Sequence, residues 1–208
     1  MKIAVMGTGS VGSALGRAFS RAGHEVMFGV RNAGKPEVQQ LAQETGAKVG
    51  SVKDAADFGE AVALAIPWGA VRDLLQQTNG LHGKIVLDCI NPLNATFSGL
   101  DTGDATSAAE QIAAWAPTAR VVKIFNNTGS GNMANPRYPE GPAAMFYCSD
   151  DAGAKETAAK LARDIGFEAV DAGDLGSAYL LEHLAMLWIT LAYKAGMGKD
   201  IAFRLARR

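Results

Sequence analysis

Apolar and polar positions along this chain switch repeatedly between two patterns: short unbroken apolar runs, and apolar residues recurring every three or four positions. Residues 2–6, Lys-Ile-Ala-Val-Met, are a run of the first kind, the mark of a strand buried on both faces of a parallel sheet. From Ser10 to Ala22 the second pattern takes over, with Val11, Ala14, Leu15, Ala18, Phe19 and Ala22 on one helical face. Gly23 closes that helix, and residues 24–30 resume the strand pattern. Further helices are predicted over 36–45, 51–58, 69–77, 108–116 and 152–165. Further strands are predicted over 47–49, from 61 to the stop at Pro67, and over 85–89, 120–125, 144–148 and 168–172. Residues 94–106 are polar and contain glycine, so they read as a loop. Residues 126–142, rich in Asn, Gly and Pro, read as a long loop, a place where function concentrates. Ser177 to Ala195 is a helix apolar almost all round. There is no internal repeat and no low-complexity segment. Such alternation predicts an α/β fold: a doubly wound, mostly parallel sheet with a long C-terminal helix, in a single domain spanning 1–208.

The junction between the first strand and helix reads Gly7-Thr8-Gly9-Ser10-Val11-Gly12. A G-x-G-x-x-G run by itself is weak in a chain with 24 glycines, but here it sits between a strand and a helix and a second strand follows. That is the context of the Rossmann NAD(P)-binding fold. Gly7 permits the tight turn, Gly9 lets backbone approach a pyrophosphate, and Gly12 lets helix and sheet pack closely. Free amides at the helix start attract phosphate charge. An NAD-preferring site places Asp or Glu at the end of the second strand. Here that position reads Phe28-Gly29-Val30-Arg31-Asn32, with Lys35 close behind, and Glu25 lies at the other end of the strand. A guanidinium pairs with a 2′-phosphate that a carboxylate repels. Arg31, helped by Asn32 and Lys35, therefore points to NADP(H); the competing reading is a solvated arginine after a strand.

Ligands of such sheets lie beyond the carboxyl ends of the strands. Those ends carry Gly7 to Gly12, Arg31, Ala65-Ile66-Pro67-Trp68, Asn91-Pro92 and Phe125-Asn126-Asn127-Thr128. Lys123 and Asn126 are the candidates for a catalytic role, Lys123 by reaching a nicotinamide carboxamide or the acceptor. Asn126, Asn127 and Thr128 either bond the acceptor's polar edge or simply form a turn. His24 and His82 fall in turns and read as structural, and His183 lies beside Glu182 on the last helix. Cys89 and Cys148 sit in apolar runs without metal-ligand spacing, so they read as reduced core thiols and no metal is expected. No serine stands at a strand–elbow–helix junction, which argues against hydrolase chemistry. A formal net charge of −1 gives no electrostatic case for nucleic acid or an anionic membrane. The arginines of 204–208 read as capping a helix end. With no charged-then-apolar leader, and an apolar stretch over 184–193 too short for a bilayer, a soluble cytoplasmic protein is expected.

The segments "GTGSVGSALGRAFSRAGHEVMFGVRN", "AIPWGAV" and "VVKIFNNTGSGNM" together resemble the F420-dependent NADP oxidoreductase family. Members move hydride between NADP(H) and the deazaflavin coenzyme F420. The same segments are similar to the reductase domain of the six-transmembrane metalloreductases, where NADPH reduces a flavin. The resemblance implies that Thr8, Ser10 and Val11 face the pyrophosphate and that Arg31 and Lys35 hold the 2′-phosphate. It further implies that Ile66 and Pro67 pack beside the nicotinamide, with Asn91 and Pro92 close by. Asn126 falls where the F420 reductases carry a histidine beside the deazaflavin, which leaves a flavin such as FMN open as acceptor. Trp68, Asn127, Thr128 and Met133 complete the candidate acceptor pocket. Hydride transfer between two stacked rings needs no obligatory acid or base, because the cofactors carry the chemistry. Two rivals share the first half of the chain: a reductase of a small carbonyl or imine, and a non-catalytic NADPH sensor. The first usually has a large helical C-terminal domain, and only one long helix follows the last strand here. Leu180, Leu181, Leu184, Leu187, Trp188 and Leu191 make one face of that helix, and its remaining apolar surface predicts a homodimer.

Overall fold

The computed structural model describes residues 1–102 and 106–208. The first half runs β1 (Lys2–Met6), α1 (Ser10–Arg21), β2 (Glu25–Gly29), α2 (Pro36–Thr45), β3 (Lys48–Gly50), α3 (Val52–Phe58) and β4 (Ala61–Leu64). It continues with α4 (Val71–Gln77), β5 (Ile85–Asp88), α5 (Ala108–Trp115) and β6 (Arg120–Lys123). These strands form one parallel sheet in the order β3-β2-β1-β4-β5-β6. Side chains alternate across it, as a period of two demands. Ile3 and Val5 join the apolar cluster containing Leu15, Phe19 and Leu161, while Ala4 and Met6 join the opposite cluster containing Ala55, Leu74 and Ile112. Both faces are covered, so the strands can be apolar throughout. Strand order reverses between β1 and β4, and the crevice at their carboxyl ends is where such sheets take ligands.

The second half holds α6 (Ser130–Ala134), the ribbon β7 (Arg137–Tyr138) with β8 (Gly141–Pro142), β9 (Ala144–Tyr147), α7 (Ala152–Asp164), β10 (Glu168–Asp171) and α8 (Ala178–Ile189). β9 and β10 pair in parallel as a separate two-stranded sheet. The ends of β9 and β6 meet in an antiparallel bridge, with Lys123 N donating to Cys148 O at 3.0 Å and Cys148 N donating to Lys123 O at 3.2 Å.

Several expectations change, and one falls partly outside the described residues. The helix over 69–77 begins as a 3₁₀ turn at Trp68–Ala70 before α4 starts. The loop 126–142 contains α6 and the β7–β8 ribbon, pieces too short to carry a periodic signal. Part of the loop 94–106, its residues 103–105, lies outside the described residues. The arginine tail caps nothing, because it is not helical. Instead, Trp188 Nε1 and Asn132 Nδ2 both donate to Ile201 O (2.8 and 2.7 Å), and Ala144 N donates to Phe203 O at 2.9 Å. Finally, α8 is flanked by a 3₁₀ turn and a π turn, giving a helical run Leu175–Lys194 long and apolar enough by length and composition to cross a membrane. The apolar stretch 184–193 understated it because Glu182 interrupts the sequence pattern but not the helix.

Candidate dinucleotide site

The turn between β1 and α1 is built around its glycines. Gly7 has φ +95°, and a Cβ there would lie 2.6 Å from the Ala65 carbonyl oxygen. A Cβ on Gly12 would lie 2.2 Å from the Gly7 carbonyl oxygen. Gly9 differs, since its Cβ would meet nothing within 4 Å among the described residues. The space beside it is open, as a phosphate cradle requires. Gly9 is also the extended N-cap of α1, with no side chain capping the helix and no acidic residue in its first turn. The first N–H groups of α1 are thus left for an anion, with the helix dipole in support. Ser13 Oγ donates to Thr8 O at 2.9 Å, which ties the turn to the helix.

A cleft of about 750 Å³ opens from this turn. Gly7, Thr8, Gly9, Arg31, Asn32, Lys35, Ala65, Ile66 and Pro67 all line it. Arg31 and Lys35 are exposed on its lip. Asn32 Oδ1 accepts from Gly34 N at 3.0 Å and shapes the loop that carries them. Sequence reasoning missed the opposite wall: Val38, Val52, Leu74, Asp73 and Gln77, the last three from one face of α4. Among the described residues lining the cleft Asp73 is the only acid, and it comes from α4; at the end of β2 the lip carries Arg31 and Lys35, the latter 3.6 Å from Glu37 Oε1. Ser10 and Val11 sit at the helix start outside the cleft lining.

Asn91, Pro92 and Asn126 lie past the cleft, at the ends of β5 and β6. Asn91 Nδ2 donates to Asn126 O at 2.9 Å, while Asn126 Nδ2 donates to Asn91 Oδ1 and Leu181 O, each at 3.0 Å. Asn126 Oδ1 is buried and meets no donor among the described residues. The preceding Phe125 is wholly buried and left-handed, φ +59°. That conformation costs roughly 1–2 kcal/mol for a non-glycine residue, and packing on Phe19 and Phe167 holds it in place.

The expected role of Lys123 does not survive. Its side chain is fully buried, and its ammonium donates to Asp88 Oδ2 (2.9 Å), Glu182 Oε1 (2.7 Å) and Ile90 O. All three protons are used, so none is free for a ligand. Burial works to lower the Lys123 pKa, but the charges of Asp88 and Glu182 overcome it and raise the pKa. Burial pushes the Glu182 carboxyl upward, and Lys123 opposes it. An acid in the buried β5 run, a lysine ending β6 and one acid inside an apolar helix are the sequence signal of such a cluster.

The acceptor-pocket candidates also turn inward. Trp68 stacks on Trp115 with ring centroids 5.1 Å apart, and Arg72 lies over Trp115, which keeps Trp68 off the cleft. Asn127 Nδ2 donates to Ala144 O at 3.1 Å, anchoring β9. Thr128 Oγ1 accepts from Asn132 Nδ2 at 2.7 Å, and Met133 is buried in the core. The turn-forming reading is the one these contacts satisfy. Cys89 and Cys148 are buried; burial raises both thiols, Cys148 to about 12. Among the described residues no cluster of His, Cys, Asp or Glu could hold a metal.

A family model for coenzyme F420-dependent NADP oxidoreductases matches residues 2–92, the span from β1 through the end of β5. An F420-dependent NADP reductase from Methanothermobacter marburgensis is 31% identical, covering 93% of each chain. The chain belongs to the F420-dependent NADP oxidoreductase family. Within that family's fold, a crystal structure of a provisionally assigned F420-dependent NADP-reductase from Arthrobacter sp. FB24 superposes with TM-score 0.90. It shows 32% identity and covers 100% of both chains. The metalloreductase STEAP3 of Rattus norvegicus is 28% identical over 89% of this chain, which spans only 36% of that protein.

Proposed function

We propose that this protein is an NADPH-dependent oxidoreductase that passes hydride between NADP(H) and the deazaflavin coenzyme F420. The observation that carries the reading is the pairing of an open, uncapped glycine turn with a cationic lip at the end of β2, in a chain of this family. The α1 amides and Gly9 take the pyrophosphate, Arg31 and Lys35 take the 2′-phosphate, and Asn32 supports them. The apolar walls Val38, Val52 and Leu74 receive the adenosine half. Ile66 and Pro67 flank the nicotinamide, and Asn91, Pro92 and Asn126 border it at the β5 and β6 ends. NADPH would supply a hydride there, and the deazaflavin would take up that hydride together with one proton from solvent.

The chain's own work is to bind, orient and exclude water. Lys123, Asp88 and Glu182 bind one another, so none of these three is free to act as an acid. A flavin such as FMN remains the second acceptor to test, because Asn126 stands where F420 reductases carry histidine. Glu182, buried midway along the long C-terminal helix, favours a core helix of a soluble protein over a membrane span. The purified protein is expected to oxidise NADPH with F420, more slowly with FMN, and to make little use of NADH. NADPH binding without turnover on either acceptor would overturn the reading.

A further inference from the structure

Asp88, Lys123 and Glu182 are almost wholly inaccessible, yet the proposed chemistry does not use them. Their hydrogen-bond geometry suits charged groups. Every contact made to the two carboxylates comes from a donor: Ile90 N to Asp88 Oδ1 at 3.0 Å, Ala108 N to both Glu182 oxygens at 3.0 and 3.2 Å, and Lys123 to each. Among the described residues, no acceptor faces either carboxylate to receive a proton from it. One ammonium therefore faces two carboxylates, and the cluster carries a net negative charge in a weakly screened interior. The start of α5 offsets part of the Glu182 charge. A Lys123–Asp88 pair alone would be neutral, so the second carboxylate is an excess that ion pairing does not require.

The cluster adjoins the nicotinamide end of the proposed site. Ile90, whose carbonyl binds Lys123, precedes Asn91; Leu181, whose carbonyl holds Asn126, precedes Glu182. Asn126 Oδ1, without a donor among the described residues, adds a further negative dipole end, and its orientation is fixed. Flipping that amide would set Oδ1 against Asn91 Oδ1 and Leu181 O.

We propose that the Asp88–Lys123–Glu182 cluster biases the bound nicotinamide toward its oxidised form. The ring is cationic in NADP⁺ and neutral in NADPH, so a fixed negative charge favours the state reached after the hydride leaves with its electron pair. This rests on the NADP(H) reading above. Calorimetric titration with NADP⁺, NADPH and 2′,5′-ADP tests it. Wild-type protein is expected to bind NADP⁺ at least as tightly as NADPH. In Glu182→Gln and Asp88→Asn, the ratio Kd(NADP⁺)/Kd(NADPH) should rise by about tenfold, with 2′,5′-ADP affinity unchanged. An unchanged ratio in variants that still bind 2′,5′-ADP would overturn the proposal, because loosening of the site weakens both forms alike. So would wild-type protein binding NADPH more than about tenfold more tightly, a result that needs no variant to fold. Wild-type protein that fails to bind 2′,5′-ADP would instead overturn the NADP(H) reading beneath it.

Discussion

At the residue scale the three turn glycines separate into two kinds. Gly7 and Gly12 are required by the protein itself, whereas Gly9 is open toward the cleft. Gly9→Ala should therefore leave the melting temperature unchanged while lowering NADPH affinity, because its methyl occupies ligand space. A matching loss of stability would show that Gly9 serves the fold. Arg31→Asp should cut the preference for NADPH over NADH by about ten- to a hundredfold, the scale of a lost charge-assisted hydrogen bond. An unchanged preference for NADPH over NADH would remove Arg31 from the site. Both residues were legible because glycine spacing and the first residues after β2 are local signals. Lys123 was misread for the opposite reason. A lysine after an apolar strand looks the same whether it faces a ligand or distant partners, and Asp88 and Glu182 lie on other elements.

Strands and helices were legible wherever a run was long enough to show a period. β1, β5 and β6 are apolar because helices cover both faces, and α1 shows its stripe clearly. The segment 126–142 hid α6 and a two-residue ribbon, and no periodicity emerges from pieces of that length. Cleft residues on α4 were invisible because Asp73 and Gln77 look like any solvated helix face. The start of α5 shows how an element is held beside the site. Ser107 Oγ accepts from Glu110 N at 3.1 Å, and Glu110 Oε2 accepts from Ser107 N at 2.8 Å. Ser107→Ala should cost about 1 kcal/mol in denaturant unfolding. A shift several-fold larger would mean that the Glu182 contact to Ala108 is lost along with the cap.

Across the whole molecule, α8 packs Leu181, Glu182, Ala185 and Trp188 inward, yet leaves Leu180 63% and Leu187 48% exposed. Burying a leucine is worth about 1.5–3 kcal/mol, so this ridge fits the homodimer we propose. Light scattering should give a dimer mass for the wild type and a monomer mass for Leu187→Glu, with NADPH still bound; a monomeric wild type would contradict it. Direct hydride transfer between NADPH and F420 leaves an isotopic mark. Mass spectrometry of F420 after reaction with NADPH deuterated at the transferable position tests it most directly. Deuterium should be retained in the reduced deazaflavin. Unlabelled or unreduced F420 would contradict it.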